Sequence, residues 1–164
     1  MKATLDVSLD VPNEIRMTRT FNAPRRLVVK AMSTPELIKR WLGGVRAEVV
    51  SATVDLRVGG SYRYVFRRPD GVEFAFVGTY REVSDERVVH TEALEGQPGE
   101  SLVTNTLVEH GEKTTLTVVM RFESQAIRDM VVGTGMAVGA GESYDALETL
   151  LASLHVTLGG SARS

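Results

Sequence analysis

The chain has 164 residues, and its 19 Lys and Arg against 21 Asp and Glu leave a net charge of -2, which gives no electrostatic reason to expect a nucleic-acid partner. It contains no cysteine, and this removes thiolate nucleophiles, thiolate metal sites and disulfides from consideration. A domain of this length buries about 70% of its extended-chain surface, so one hydrophobic core suffices.

Residues 1 to 13 read as an N-terminal extension. They mix Asp6, Asp10 and Asn13 with short apolar residues and lack the continuous apolar run of a secretory segment. From Glu14 to Phe21 the odd positions Ile15, Met17, Arg19 and Phe21 alternate with polar ones, the period of a first strand. Asn22 then stands as a cap before Ala23-Pro24, and Leu27, Val28 and Ala31 recur at helical spacing. Thr34-Pro35-Glu36 repeats the start signal for a second short helix that ends near Trp41, ahead of Gly43-Gly44. The chain then becomes almost continuous strand signal. Six strands are expected at about 46–54, 60–68, 73–83, 86–94, 101–109 and 113–122, separated by turns such as Gly59-Gly60, Asp70-Gly71 and His110-Gly111. Short links make consecutive strands antiparallel neighbours. Past Ser124 the period turns helical, and Met136, Ala140, Tyr144, Leu147, Leu151 and Leu154 share one face of a long helix. Gly133, Gly135, Gly139 and Gly141 each cost a helix about 1 kcal/mol relative to Ala, so its first part is either broken or packed close to the sheet. Residues 157–164, with Gly159-Gly160, are expected to form a flexible tail after a domain spanning 14–156. The uncharged stretch Met130 to Gly141 is too short and too glycine-rich for a membrane span, and a cytoplasmic protein is the default expectation.

This order describes an α+β fold in which a curved antiparallel sheet wraps around the last helix. Together with Asn22-Ala23-Pro24, Thr34-Pro35-Glu36-Leu37, Lys39-Arg40-Trp41, Val54-Asp55-Leu56-Arg57, Gly59-Gly60, Asp70-Gly71, Gly78-Thr79-Tyr80 and Gly135-Met136, it resembles the START-like, Bet v 1-like (SRPBCC) superfamily. Within that superfamily it is most similar to bacterial homologues of the activator of the heat shock protein 90 ATPase. The resemblance covers approximately Ile15 to Leu154 and implies a helix-grip fold around a cavity for a small, mostly apolar ligand. Superfamily members are lipid or hormone carriers, aromatase/cyclases and chaperone co-factors. The chain departs from the family where a second aromatic usually follows the matching tryptophan, here Leu42, and where an aromatic often follows the helix glycine, here Ala140. Matching positions on the strand at 86–94 are commonly bulky and aromatic but here read His90 and Glu92, so the resemblance implies a roomier, more polar pocket.

The residues support candidates without the family. Tyr62, Tyr64 and Phe66, then Phe74, Phe76 and Tyr80, lie on one parity of the central hairpin, so that face is buried, either as a plain aromatic core or as a ligand pocket. Trp41 covers the core or contacts a ligand. Met136, Ala140 and Tyr144 present the final helix to the same space. His90 and Glu92, one period-two step apart, are an acid/base pair in the cavity, a polar lining that orients a ligand, a salt-bridged rim, or outward-facing residues of a strand with inverted parity. No histidine pair has zinc spacing, no serine sits in a nucleophile elbow, and neither glycine cluster forms a P-loop. Asp55 and Arg57 read as a structural surface pair. The leading expectation is a non-enzymatic protein that binds a small hydrophobic or amphipathic molecule, with no metal, no cofactor, no nucleic acid and no membrane, and with a protein partner or a homodimer left open. The alternatives are a cyclase, hydratase or hydrolase using His90, Glu92 and Tyr64 or Tyr80, and a chaperone-activator module.

Overall fold

A computed structural model describes residues 4–44 and 46–163, with side chains to His155. The elements are β1 (Asp6–Ser8), β2 (Glu14–Phe21), α1 (Arg25–Ser33), α2 (Pro35–Trp41), β3 (Glu48–Val54), β4 (Ser61–Arg67), β5 (Glu73–Val83), β6 (Arg87–Leu94), β7 (Ser101–His110), β8 (Lys113–Arg121), α3 (Gln125–Gly133) and α4 (Met136–Arg163). All strands join one antiparallel sheet in the order β1-β2-β8-β7-β6-β5-β4-β3. Helices α1 and α2 carry the chain from β2, near one edge, to β3 at the other, and α4 packs against both of them inside the curve. This is the expected helix-grip architecture. The core follows the strand periods: Ile15, Met17 and Phe21 from β2 and Leu116, Val118 and Met120 from β8 meet Leu147, Leu150 and Leu151 of α4.

Local structure departs from expectation at the start of the chain and at the cap of α1, and it resolves the alternative left open for the last helix. The segment 1–13 contributes β1, whose three residues pair with Arg16 to Thr18 of β2 and are too few to show an alternating period. Asn22 does not cap α1. The N-cap position is Pro24, and the first helical N–H, that of Arg25, is taken at 2.7 Å by the carboxylate of Glu109 from β7, while Glu148 of α4 accepts the Asn22 N–H. The orphan donor is thus satisfied by a distant carboxylate instead of a neighbouring side chain. Between Ser124 and Leu154 there are two helices, since Gly135 adopts φ +79° and turns the chain between α3 and α4. Close packing explains none of the other three glycines there: a Cβ at Gly133 or Gly141 would meet nothing, and at Gly139 only ordinary contact with Arg46. At the far end α4 runs to Arg163, and the expected tail at 157–164 falls on residues whose side chains lie outside the described set.

Candidate functional site

Between the concave sheet face and the helices lies a cavity of about 700 Å³, within the range of roughly 300–1,000 Å³ usual for small-molecule pockets. Strand β4 supplies Tyr62, Tyr64 and Phe66; β5 supplies Phe76 and Tyr80; β6 supplies His90 and Glu92. Trp41 closes it from α2, and Met136, Ala140 and Tyr144 from α4. Eleven of the twelve residues singled out from the sequence therefore face one space. Phe74 does not. It has the inward parity but stacks on Phe66, with ring centroids 5.2 Å apart, at the hairpin end beyond the cavity.

Register explains the aromatic wall. The cross-strand pairs Tyr64↔Phe76 and Phe66↔Phe74 put matching parities side by side, whereas Tyr62 pairs with Gly78. With no side chain at Gly78, the Tyr62 ring passes across β5 to β6, where its hydroxyl donates to the Thr91 carbonyl at 2.7 Å. The ladder between β5 and β6 opens at this point: Thr79 N–H bonds the Thr91 hydroxyl at 2.9 Å instead of a backbone oxygen. Tyrosine thus satisfies a carbonyl that the sheet leaves unpaired. Trp41 is fixed by its indole N–H on the Ala31 carbonyl at 3.0 Å and by stacking on Tyr144 at 6.1 Å.

Two titratable groups of the cavity sit on β6. His90 Nδ1 lies 2.9 Å from the Thr91 carbonyl, which requires the proton on Nδ1, and burial holds the imidazole below its ordinary pKa. His90 is therefore neutral near pH 7, with Nε2 unprotonated. Glu92 is half-buried and lines the cavity. No hydrogen bond or ion pair of its carboxyl is found among the described residues. Burial pushes that carboxyl up to about 7. Burial raises Tyr62, Tyr64 and Tyr144 well above the ordinary phenol value, and the nearby Glu92 charge raises each further. Tyr80 is pushed up to about 12, chiefly by burial. All four hydroxyls stay protonated at neutral pH.

The sequence reading did not single out the β7 and β8 wall, where Val103, Asn105, Leu107, Val118 and Met120 complete the cavity. Their alternation was a usable signal, because His90↔Val103 and Val88↔Asn105 are direct cross-strand pairs. It also gave no special place to Arg19. Its guanidinium is buried in the β2 face and bonds Asp145 of α4 at 2.6 Å, with no hydrogen-bond partner for Nε or Nη2 among the described residues. Asp55 and Arg57 form the expected exposed ion pair, at 2.9 Å, in the turn after β3. Among the described residues no cluster of His, Cys, Asp or Glu could hold a metal ion. Among the same residues no helix is long and apolar enough to cross a membrane.

The sequence model of the family described as "Activator of Hsp90 ATPase homolog 1-like protein" matches residues 22–152. The chain belongs to that family. Solved structures of bacterial proteins show the same fold. A crystal structure from Rhodobacter sphaeroides superposes with a TM-score of 0.86 at 24% identity, covering 92% of this chain and 99% of its own. Another, from Chromobacterium violaceum, gives 0.75 at 29% identity over 86% and 98% of the two chains. No curated protein matches the sequence.

Proposed function

We propose that the protein binds a small hydrophobic or amphipathic molecule in this cavity, as a non-enzymatic cytoplasmic carrier or sensor. The supporting observation is the cavity itself: about 700 Å³ walled mostly by aromatic and aliphatic side chains. Aromatic walls give large contact areas and preferred ring geometries to an apolar guest. Trp41 is the chain's one tryptophan and lines the space, so it reports on occupancy. Titration with neutral apolar dyes is expected to quench or shift its emission saturably. Unchanged emission of folded protein at saturating levels of several chemically different dyes would overturn the reading.

A second reading rests on Glu92. A carboxyl that burial holds near pKa 7 is suited to general acid/base work. Under that reading Glu92→Gln lowers turnover of an identified substrate by about a hundredfold or more, the scale of general acid/base contributions. A carrier role predicts an effect on binding alone.

A further inference from the structure

Resting on the cavity-binding reading, we infer that the preferred guest is a lipophilic amine: an apolar body with a protonated nitrogen that pairs with Glu92 beneath the tyrosine cluster. The lining contains three carboxylates, Glu92, Glu100 and Glu123, and no lysine or arginine among the described residues. Their positions differ. Glu92 is inside, whereas Glu100 and Glu123 are exposed and stand at the mouth beside Leu94 and Ile127, themselves 38% and 39% exposed. Glu100 lies 3.9 Å from Arg81, so the negative charge that an incoming cation meets at the mouth comes chiefly from Glu123, and low-dielectric walls concentrate the field of Glu92 behind it. A fatty acid or phosphate ester would meet no fixed cation in the lining. The buried guanidinium nearest this wall, Arg19, lies outside the lining and is engaged by Asp145.

The rings around Glu92 suit a cation as well. Tyr62 lies 4.9 Å from Tyr64, 5.5 Å from Tyr80 and 5.0 Å from His90, centroid to centroid, which makes a contiguous π surface. Such faces attract ammonium groups through the ring quadrupole. The imidazole adds no opposing charge, because its Nδ1 proton is held on the Thr91 carbonyl and its buried ring stays neutral near pH 7. A buried carboxyl without a partner is costly when ionised. A protonated amine removes that cost, and a neutral alcohol does not.

The test is competition against Nile red, a neutral dye, by decylamine, decanol and decanoate, which share a ten-carbon chain and differ in head group. At pH 8 decylamine is expected to displace the dye at least about tenfold more effectively than decanol, with decanoate weakest. In Glu92→Gln the gap between amine and alcohol narrows to under about threefold while decanol binding persists. The wild-type chain gives a parallel readout that needs no variant. At pH 5.5 the advantage of the amine shrinks, since Glu92 is then mostly protonated and the amine stays charged. The groups facing Glu92 are Tyr62 and Tyr64 from β4, Tyr144 from α4, His90 on its own strand and Ser101 across β7. The tyrosines do not titrate in this range, and any charging of His90 acts in the same direction. Equal displacement by amine and alcohol, or a preference that survives both Glu92→Gln and pH 5.5, overturns the amine assignment and leaves the cavity reading standing. Failure of Nile red and all three competitors to bind overturns the cavity reading instead.

Discussion

Glu92 couples the chemistry of the cavity to the stability of the protein. Its folded pKa of about 7 lies above the ordinary glutamate value of 4.5, so the folded chain holds a proton that the unfolded chain releases. Stability from this group is therefore full below about pH 4.5 and is lost as pH rises towards 7, with a total swing of about 3 kcal/mol. Glu92→Gln removes the ionisation cost. Thermal unfolding should show the variant more stable than the wild type at pH 8 and nearly equal to it at pH 4.5; equal midpoints at pH 8 would mean that the carboxyl is solvated in the free protein. His90 works in the opposite sense, because a lowered histidine pKa costs stability as pH falls below about 6.5. At this scale the parity of Glu92 was legible from its spacing to His90, but its lack of a partner was not, since that depends on what three other elements bring near it. Arg19 is the converse. It occupies an apolar parity in β2, and only α4, 126 residues further on, supplies its carboxylate.

Two glycines separate what the elements require from what they tolerate. Gly78 in β5 has no space for a side chain: a Cβ would stand 2.0 Å from the Thr91 carbonyl oxygen and 2.5 Å from the Tyr62 ring. Gly139 in α4 has its nearest neighbour, Arg46 Cδ, at 3.6 Å from a would-be Cβ. Gly78→Ala should cost about 3 kcal/mol or more, because the obstructing atom is backbone and β6 must move. Gly139→Ala should raise stability by about 0.5–1 kcal/mol through helix propensity. Denaturant titration of both variants checks the contrast, and similar values would contradict the tight crossing of Tyr62 over β5. The seven longer strands and both short helices were readable because their periods and turn residues agree along the chain. The α3–α4 break was only half readable, since four glycines weaken the helix equally and the sequence does not say that Gly135 alone among them takes a positive φ. The cap of α1 was misread because it is made by Glu109, a tertiary contact.

For the molecule as a whole, the volume of the cavity follows from small side chains on its helical wall: Gly139, Ala140 and Ser143 face it where larger residues would fill it. Ala140→Phe should therefore weaken dye and alkyl-chain binding by about tenfold or more with little loss of melting temperature, because the added ring enters open space and not a packed core. Calorimetry on the variant checks both quantities, and undiminished binding would place the guest elsewhere. The architecture and the aromatic wall were legible because strand parity moves whole sets of residues together. Phe74 marks the limit of that reasoning, since parity gives a side but not how far along the strand the cavity extends. The same hollow interior has an energetic consequence. The cavity opens to solvent at the mouth where Glu100 and Glu123 stand exposed. Water therefore fills the interior when no guest is present. Water against mostly apolar walls finds few hydrogen-bonding partners, so its release favours any guest that fits. Folding and loading draw on one free energy, and the melting temperature of this chain becomes a measure of how much guest surrounds it.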